Sequence, residues 1–278
     1  MELLSRVGTL SLITAFSFGC GGPSPSDGAS GGDATDTTSM GRDVITPTDS
    51  ATSDTPTTGD TGTTSDAGSD SGPTLACGAR PSHSGDGTYY NGDGTGACSF
   101  AARADLMYAA MNAPDFANAA VCGMCVHVSG PMGEATVTIT DLCPECLSGA
   151  IDLSPNAFMM LSPLSAGRIP ITWHEVPCDV TGPVVFHVYT GTNPYYLAIN
   201  VRNHRHRIAN LERRGADGTW HALMRQDYNV WIESPSDAPL SSAHLRATDI
   251  LGSIVEADVP ITAETDVNAS DQFPACTM

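Results

Sequence analysis

The sequence contains no lysine: all twelve basic residues are arginine, set against 31 acidic ones, for a formal net charge of −19. Phosphate binding leaves a basic footprint, so this balance excludes nucleic acid as a partner class. Aromatic residues are also scarce, at 6%, so each ring outside the core has to be accounted for. No apolar run is long enough to span a bilayer; the run from Val7 to Phe18 is too short for a stable transmembrane helix. Repeats, coiled coils and long amphipathic helices are missing after Cys77. What is left is a pattern of short β-type runs punctuated by Gly, Pro, Asn and Asp.

Arg6 followed by the apolar run reads as a signal peptide over residues 1–20. Cys20, backed by Gly21 and Gly22, matches a lipid-attachment cysteine, with Ser17 departing from the usual leucine. An outer-membrane lipid anchor is therefore expected, with simple secretion as the alternative. Residues 21–76 are Ser, Thr, Asp, Gly and Pro with almost nothing apolar, which cannot bury enough surface to offset ordering entropy. Residues 23–76 carry nine Asp against one Arg, a net of eight negative charges that should extend a disordered tether.

Eight cysteines follow Cys20: Cys77, Cys98, Cys122, Cys125, Cys143, Cys146, Cys178 and Cys276. Cys122-Gly-Met-Cys125 and Cys143-Pro-Glu-Cys146 have the spacing of a zinc site. Export favours a disulfide framework over metal, with the pairing open. No metal and no cofactor are expected.

In Glu134 to Thr140, Ala135, Val137 and Ile139 alternate with three threonines, as in a half-buried strand. One helix is expected from Ser99 to Met111. A second is signalled by Ser154 as N-cap with Pro155 in its first turn. A Thr, Gly and Pro stretch after Cys178 divides the region into 77–181 and 182–278. In the second part, residues 184–189, 197–201, 208–213, 219–223 and 230–233 read as strands, with Gly215 to Gly218 as a hairpin turn. Strands so closely spaced imply a β-sandwich.

Asp141 ends the Ala135/Val137/Ile139 strand on its apolar face, where a carboxylate is costly unless hydrogen-bonded or opened into a groove. Asp152 sits between Ile151 and Leu153 and is similarly placed. Half-buried carboxylates can divide acid and base roles; equally, both could hold loops through backbone hydrogen bonds. His204 and His206, among Arg202, Arg205 and Arg207, suit a metal site or, more simply, a solvated basic face. Trp173, Trp220 and Trp231 lie in or beside strand runs and read as core.

The segments Thr138-Ile139-Thr140-Asp141-Leu142-Cys143-Pro144-Glu145 and Asp152-Leu153-Ser154-Pro155-Asn156-Ala157-Phe158 closely resemble segments of bacterial expansins. So do Gly87-Thr88-Tyr89-Tyr90, Val201-Arg202-Asn203-His204 and Asp227-Tyr228-Asn229. The resemblance runs from about Gly78 to the C-terminus. It implies an all-β protein, a six-stranded double-psi β-barrel followed by an immunoglobulin-like β-sandwich that binds carbohydrate. It also implies wall loosening without hydrolysis, acting on cellulose or a related β-glucan. The acidic surface fits a neutral polysaccharide.

Carried over by the resemblance, Thr88, Tyr89, Asp141 and Asp152 are the groove residues. Tyr195, Tyr196 and Tyr228 are the sugar-stacking rings. In related endoglucanases the residue matching Asp152 is the general acid; no base is assigned here, because Asp86 and Asp93 fall at neither expected position. Cys143 stands where expansins have a tyrosine, which removes one aromatic wall. Tyr195 and Tyr196 can share a surface only if Pro194 keeps them in a loop. Competing readings are a weak endoglucanase or lytic transglycosylase acting through Asp152, and an adhesive surface lectin. A monomer is expected.

Overall fold

The computed structural model describes Gly78 and residues 80–276. The leader, Cys20, the acidic tether and Cys77 lie outside the described residues. The first half forms a closed barrel of six strands: β1 (His83–Tyr89), β2 (Tyr108–Asn112), β3 (Cys125–Ser129), β4 (Glu134–Cys143), β5 (Ile151–Leu153) and β6 (Ile169–Val176). Their order around the barrel is β1-β5-β2-β4-β3-β6.

Alternation in β4 puts Ala135, Val137 and Ile139 inside with Val126, Val128, Ile151 and Leu153. A short helix α1 (Ala113–Phe116) follows β2. Helix α2 (Pro155–Leu161) starts as the sequence predicts: Ser154 Oγ accepts from Ala157 N at 3.2 Å and proline opens the first turn. Its Phe158 and Leu161 are fully buried in the barrel core. Burying such a phenylalanine contributes about 2–3 kcal/mol.

The expected helix at Ser99 to Met111 does not form. Ser99 and Leu106 have φ of 56° and 54°, which no helix admits. Tyr108–Asn112 is instead a strand buried on both faces, so its Ala-rich sequence lacks the alternation that marks a half-exposed strand.

The second half packs two sheets face to face. One has the order β10-β9-β13-β14: β9 (Ile208–Arg214), β10 (Trp220–Ala222), β13 (Ser242–Asp249) and β14 (Ile254–Pro260). The other has the order β11-β12-β8-β7-β15: β7 (Val185–Val188), β8 (Leu197–Arg202), β11 (Met224–Arg225), β12 (Trp231–Glu233) and β15 (Thr265–Asn268). Phe186, Ile199, Leu211, Trp231, Leu245 and Phe273 are among the residues filling the space between them. The Gly215 to Gly218 turn joins β9 to β10, with Gly218 at φ 84°; a side chain there would be strained.

Trp173 and Trp231 are buried at 4% exposure. Trp220 is not a core residue: it lies half-buried on an outer face with the Arg246 guanidinium 4.0 Å from its ring centroid. The strand pattern places it correctly, but β10 has only three residues and parity in so short a strand is ambiguous. Arg213 is 2% exposed and is held by Glu233 at 2.8 Å and Asp237 at 2.7 Å.

Both CxxC pairs are disulfide-bonded, but differently. Cys143 pairs with Cys146, whereas Cys122 and Cys125 part company: Cys98–Cys122 ties a loop to the barrel and Cys125–Cys178 ties β3 to the segment after β6. Cys276 is also disulfide-bonded, to a partner outside the described residues. Barrel and sandwich meet through a bidentate Arg207–Glu175 pair at 3.0 Å for both bonds.

Candidate functional site

Four barrel strands bring one row of residues to the outer surface. Thr88 on β1 is the register partner of Asp152 on β5, Asp152 that of Ala110 on β2, and Ala110 that of Asp141 on β4. Asp152 faces out because its neighbours Ile151 and Leu153 are fully buried in the core. Ala110, itself 3% exposed, stands between the two carboxylates in this row.

Asp141 reaches this row by an irregularity. The register shifts between Ala109 and Ala110, whose partners are Ile139 and Asp141. Thr140 is the extra residue of a bulge. Without it Asp141 would continue the inward series Ala135, Val137 and Ile139, as the alternation alone predicts. The bulge turns its carboxylate outward and leaves Thr140 fully buried.

The two carboxylates are chemically distinct. Asp152 Oδ1 accepts from Thr88 Oγ1 at 2.5 Å. Burial, aided by the fields of Glu145 and Asp141, raises the Asp152 pKa above the ordinary carboxylate value, outweighing the opposing Thr88 hydroxyl and Arg168. Such a group keeps its proton to higher pH and is suited to donating it. Asp141 Oδ1 instead accepts from two backbone N–H groups, Ala97 at 2.7 Å and Leu142 at 2.8 Å.

Thr88, Asp141 and Asp152 are thus brought together, and Tyr89 is not. Adjacent strand residues face opposite sides, so Tyr89 turns inward, with its ring 4.9 Å from that of Phe158. Tyr90, passed over in the sequence, lies on the outer side. Its Oη is buried and has no hydrogen-bond partner among the described residues. Burial, then the negative charge of Asp141 and Asp152, pushes its pKa upward. Parity from Thr88 was the signal that could have found it. Cys143 is buried in its disulfide with Cys146 and offers no ring.

Asp86 pairs with Arg168 at 2.7 Å, and Asp93 accepts from both the backbone and hydroxyl of Thr95. Those bonds hold the Asp93 pKa below the usual range.

On the sandwich, Tyr195 and Tyr196 do lie in a turn. Asn193 N donates to Tyr196 O at 2.8 Å, Tyr196 N donates back to Asn193 O at 3.0 Å, and Asn193 Oδ1 accepts from Tyr195 N at 3.0 Å. Tyr195 is 64% exposed and Tyr228 41%. Tyr228 is presented by a turn in which Asn229 adopts φ 61°. Partial burial first, then the neighbouring phenols of Tyr196 and Tyr189, raise the Tyr228 pKa, so these three rings share one neighbourhood. Tyr189 was not singled out by the sequence. It follows β7 and donates its N–H to Ala198 O at 2.9 Å, on the outer side of the sheet.

His204 and His206 do not form a solvated face; they are 4% and 5% exposed. The chain turns at Asn203, φ 53°, and drives His204 against barrel residues Gly123 and Phe100. Among the described residues, no three His, Cys, Asp or Glu side chains are grouped to hold a metal.

A double-psi β-barrel family model described as "Lytic transglycolase" matches residues 83–173. Expansin-YoaJ of Bacillus subtilis (strain 168) is 33% identical over 174 residues, covering 61% of this chain and 74% of that protein. Expansin-like protein 1 of Dictyostelium discoideum is 29% identical over 201 residues, 67% of this chain and 70% of the other. Among solved structures, a point mutant of the Clavibacter michiganensis expansin in complex with cellohexaose aligns with TM-score 0.66 and 29% identity. That match covers 71% of this chain and all of the other. The shared barrel, sandwich and extent of identity establish that this chain belongs to the expansin family.

Proposed function

We propose that this protein binds cellulose or a related β-glucan outside the cell and loosens plant-type wall networks without hydrolysing them. The observation that carries the reading is the alignment with the whole of a cellohexaose-bound expansin, whose two-part architecture this chain reproduces. Tyr195, Tyr196 and Tyr228, joined by Tyr189, form the stacking platform, because pyranose rings offer C–H faces that pack on aromatic rings. Thr88, Asp141 and Asp152, with Tyr90, line the barrel groove. The chain divides at about residue 181 into a barrel and a carbohydrate-binding sandwich. Its disulfides fit an extracellular setting. Cys20 is the anchoring residue, the tether gives the domains reach, and the folded part acts as a monomer.

A second reading has specific support: the barrel's family model is described as "Lytic transglycolase", and Asp152 holds its proton to raised pH. The two are separated by measuring reducing-sugar release from insoluble cellulose beside mechanical weakening of filter paper. The expected result is binding and weakening with no sugar above background. Sustained sugar release lost in Asp152→Asn would make the protein a hydrolase, and binding with no weakening would make it an adhesive lectin. Asp152→Ala should abolish weakening with cellulose affinity nearly unchanged. Tyr196→Ala or Tyr228→Ala should reduce affinity several-fold, since one stacked ring contributes about 0.5–1.5 kcal/mol beyond area burial.

A further inference from the structure

We infer that Asp141 is a positioning residue: its carboxylate holds the Gly96–Ser99 segment as a clasp that fixes Tyr228 of the sandwich relative to the barrel groove. The inference rests on the platform reading above, and on contacts that form one continuous path. Asp141 Oδ1 accepts from Ala97 N at 2.7 Å. The segment lies so close on the carboxylate that a Cβ at Gly96 would sit 2.3 Å from Asp141 Cγ. One residue on, Cys98 N donates to Thr140 O at 3.1 Å, and the Cys98–Cys122 disulfide fixes the other side.

The far end of the same segment grips the sandwich. Ser99 Oγ donates to Tyr228 O at 2.7 Å. Cys98 O accepts from Asn229 Nδ2 at 3.2 Å and from Asn200 Nδ2 at 3.4 Å. Asn200 Nδ2 also donates to Asn229 O at 2.8 Å. Ser99 is held at φ 56° to make this turn, a conformation that needs support from both sides. Three residues therefore separate a groove carboxylate from the backbone of a platform ring. With Asp141 Oδ1 taken up by two backbone amides, the role assigned to this residue is holding the segment.

The test uses the full chain and four variants: Asp141→Ala, Asp141→Asn, Ser99→Ala and Tyr228→Ala. Cellulose depletion isotherms are measured together with hydrogen exchange across residues 226–230. An asparagine Oδ1 accepts from the same two amides, so Asp141→Asn should recover most of the affinity lost in Asp141→Ala. Asp141→Ala and Ser99→Ala should each weaken binding about threefold to tenfold, as loss of the Tyr228 ring does. Exchange at 226–230 should quicken in both and stay slow in Asp141→Asn. Asp141→Asn as weak as Asp141→Ala overturns the inference, since the charge itself would then be what the glucan needs. Unchanged exchange in Asp141→Ala also overturns it. Should Asp141→Ala fail to fold, Ser99→Ala carries the same two readouts. If Tyr228→Ala binds like the wild type, the platform reading fails, and the exchange arm still decides the clasp.

Discussion

Acidification should weaken this fold through His204 more than through any exposed histidine. The imidazole is wedged between sandwich and barrel: its Nδ1–H donates to His206 O at 2.9 Å, and its Nε2 lies where a Cβ on Gly123 would be only 2.5 Å away. A second proton on Nε2 would meet no hydrogen-bond partner among the described residues. Burial first, then the charges of Arg225 and His206, lower the His204 pKa from 6.5 to about 4; the barrel side contributes Gly123 and Phe100, which carry no charge. Because the unfolded chain protonates at higher pH than the folded one, stability is complete above about pH 6.5. It is lost as pH falls toward 4, at about 1.4 kcal/mol per unit and about 3 kcal/mol in all. Urea unfolding followed by the fluorescence of buried Trp173 and Trp231 at pH 7.5 and 4.5 measures the loss. His204→Asn keeps a donor for the His206 carbonyl and cannot ionise. It should start less stable at pH 7.5 and lose about 2.5 kcal/mol less between the two pH values. Identical losses in wild type and variant would refute the assignment.

A second pH window lies lower. Arg213 and the Ala216 N–H lower the Asp237 pKa from 3.8 to about 2, so its contribution is present above pH 3.8 and disappears as pH falls through 2. Allowing for solvent screening it amounts to about 1 kcal/mol, and acid denaturation of Asp237→Asn should lack that step. Removing Arg213 itself, as Arg213→Ala, leaves Glu233 and Asp237 without their cation and should cost about 3–5 kcal/mol in chemical denaturation. In the opposite direction, Thr140 Oγ1 is buried with no hydrogen-bond partner among the described residues. Thr140→Val keeps the shape, removes the unmet hydroxyl and should stabilise by about 1 kcal/mol in the same assay.

The sandwich strands up to Glu233, the Ser154 helix start and the Gly215 to Gly218 hairpin are legible because each depends on local signals, alternation, a cap and a turn glycine, whereas β13, β14 and β15 are not placed by the sequence. The misreadings share a physical cause, which is dependence on partners distant in sequence. Residues 108–112 look helical because burial on both faces erases alternation. Asp141 reads as lying on the apolar face because a bulge is defined by the neighbouring strand and leaves no mark of its own in the Thr-Ile-Thr-Asp run. His204 reads as a surface residue in the sequence because its burial comes from Gly123 in the barrel, roughly eighty positions away. Disulfide pairing was closed to sequence for the same reason: Cys122 and Cys125 share a motif but point to Cys98 and Cys178.

That dependence on distant neighbours also separates two aspartates that look alike in sequence. Both flank Ala110 on one outer row, yet what donates to each decides its chemistry. Burial and the field of Glu145 leave Asp152 able to carry a proton despite the Thr88 hydroxyl that donates to it, whereas two backbone amides hold one oxygen of Asp141. An inverting glycosidase needs a second carboxylate free to activate water across the sugar from the acid. Asp86 is engaged by Arg168, Asp93 by Thr95, and one oxygen of Asp141 by the Ala97 and Leu142 amides. Glu145 acts on Asp152 through its field, which favours the protonated acid. An acid so placed can hydrogen-bond a glucan hydroxyl and release it again, which is what the proposed sliding of polysaccharide chains past one another requires.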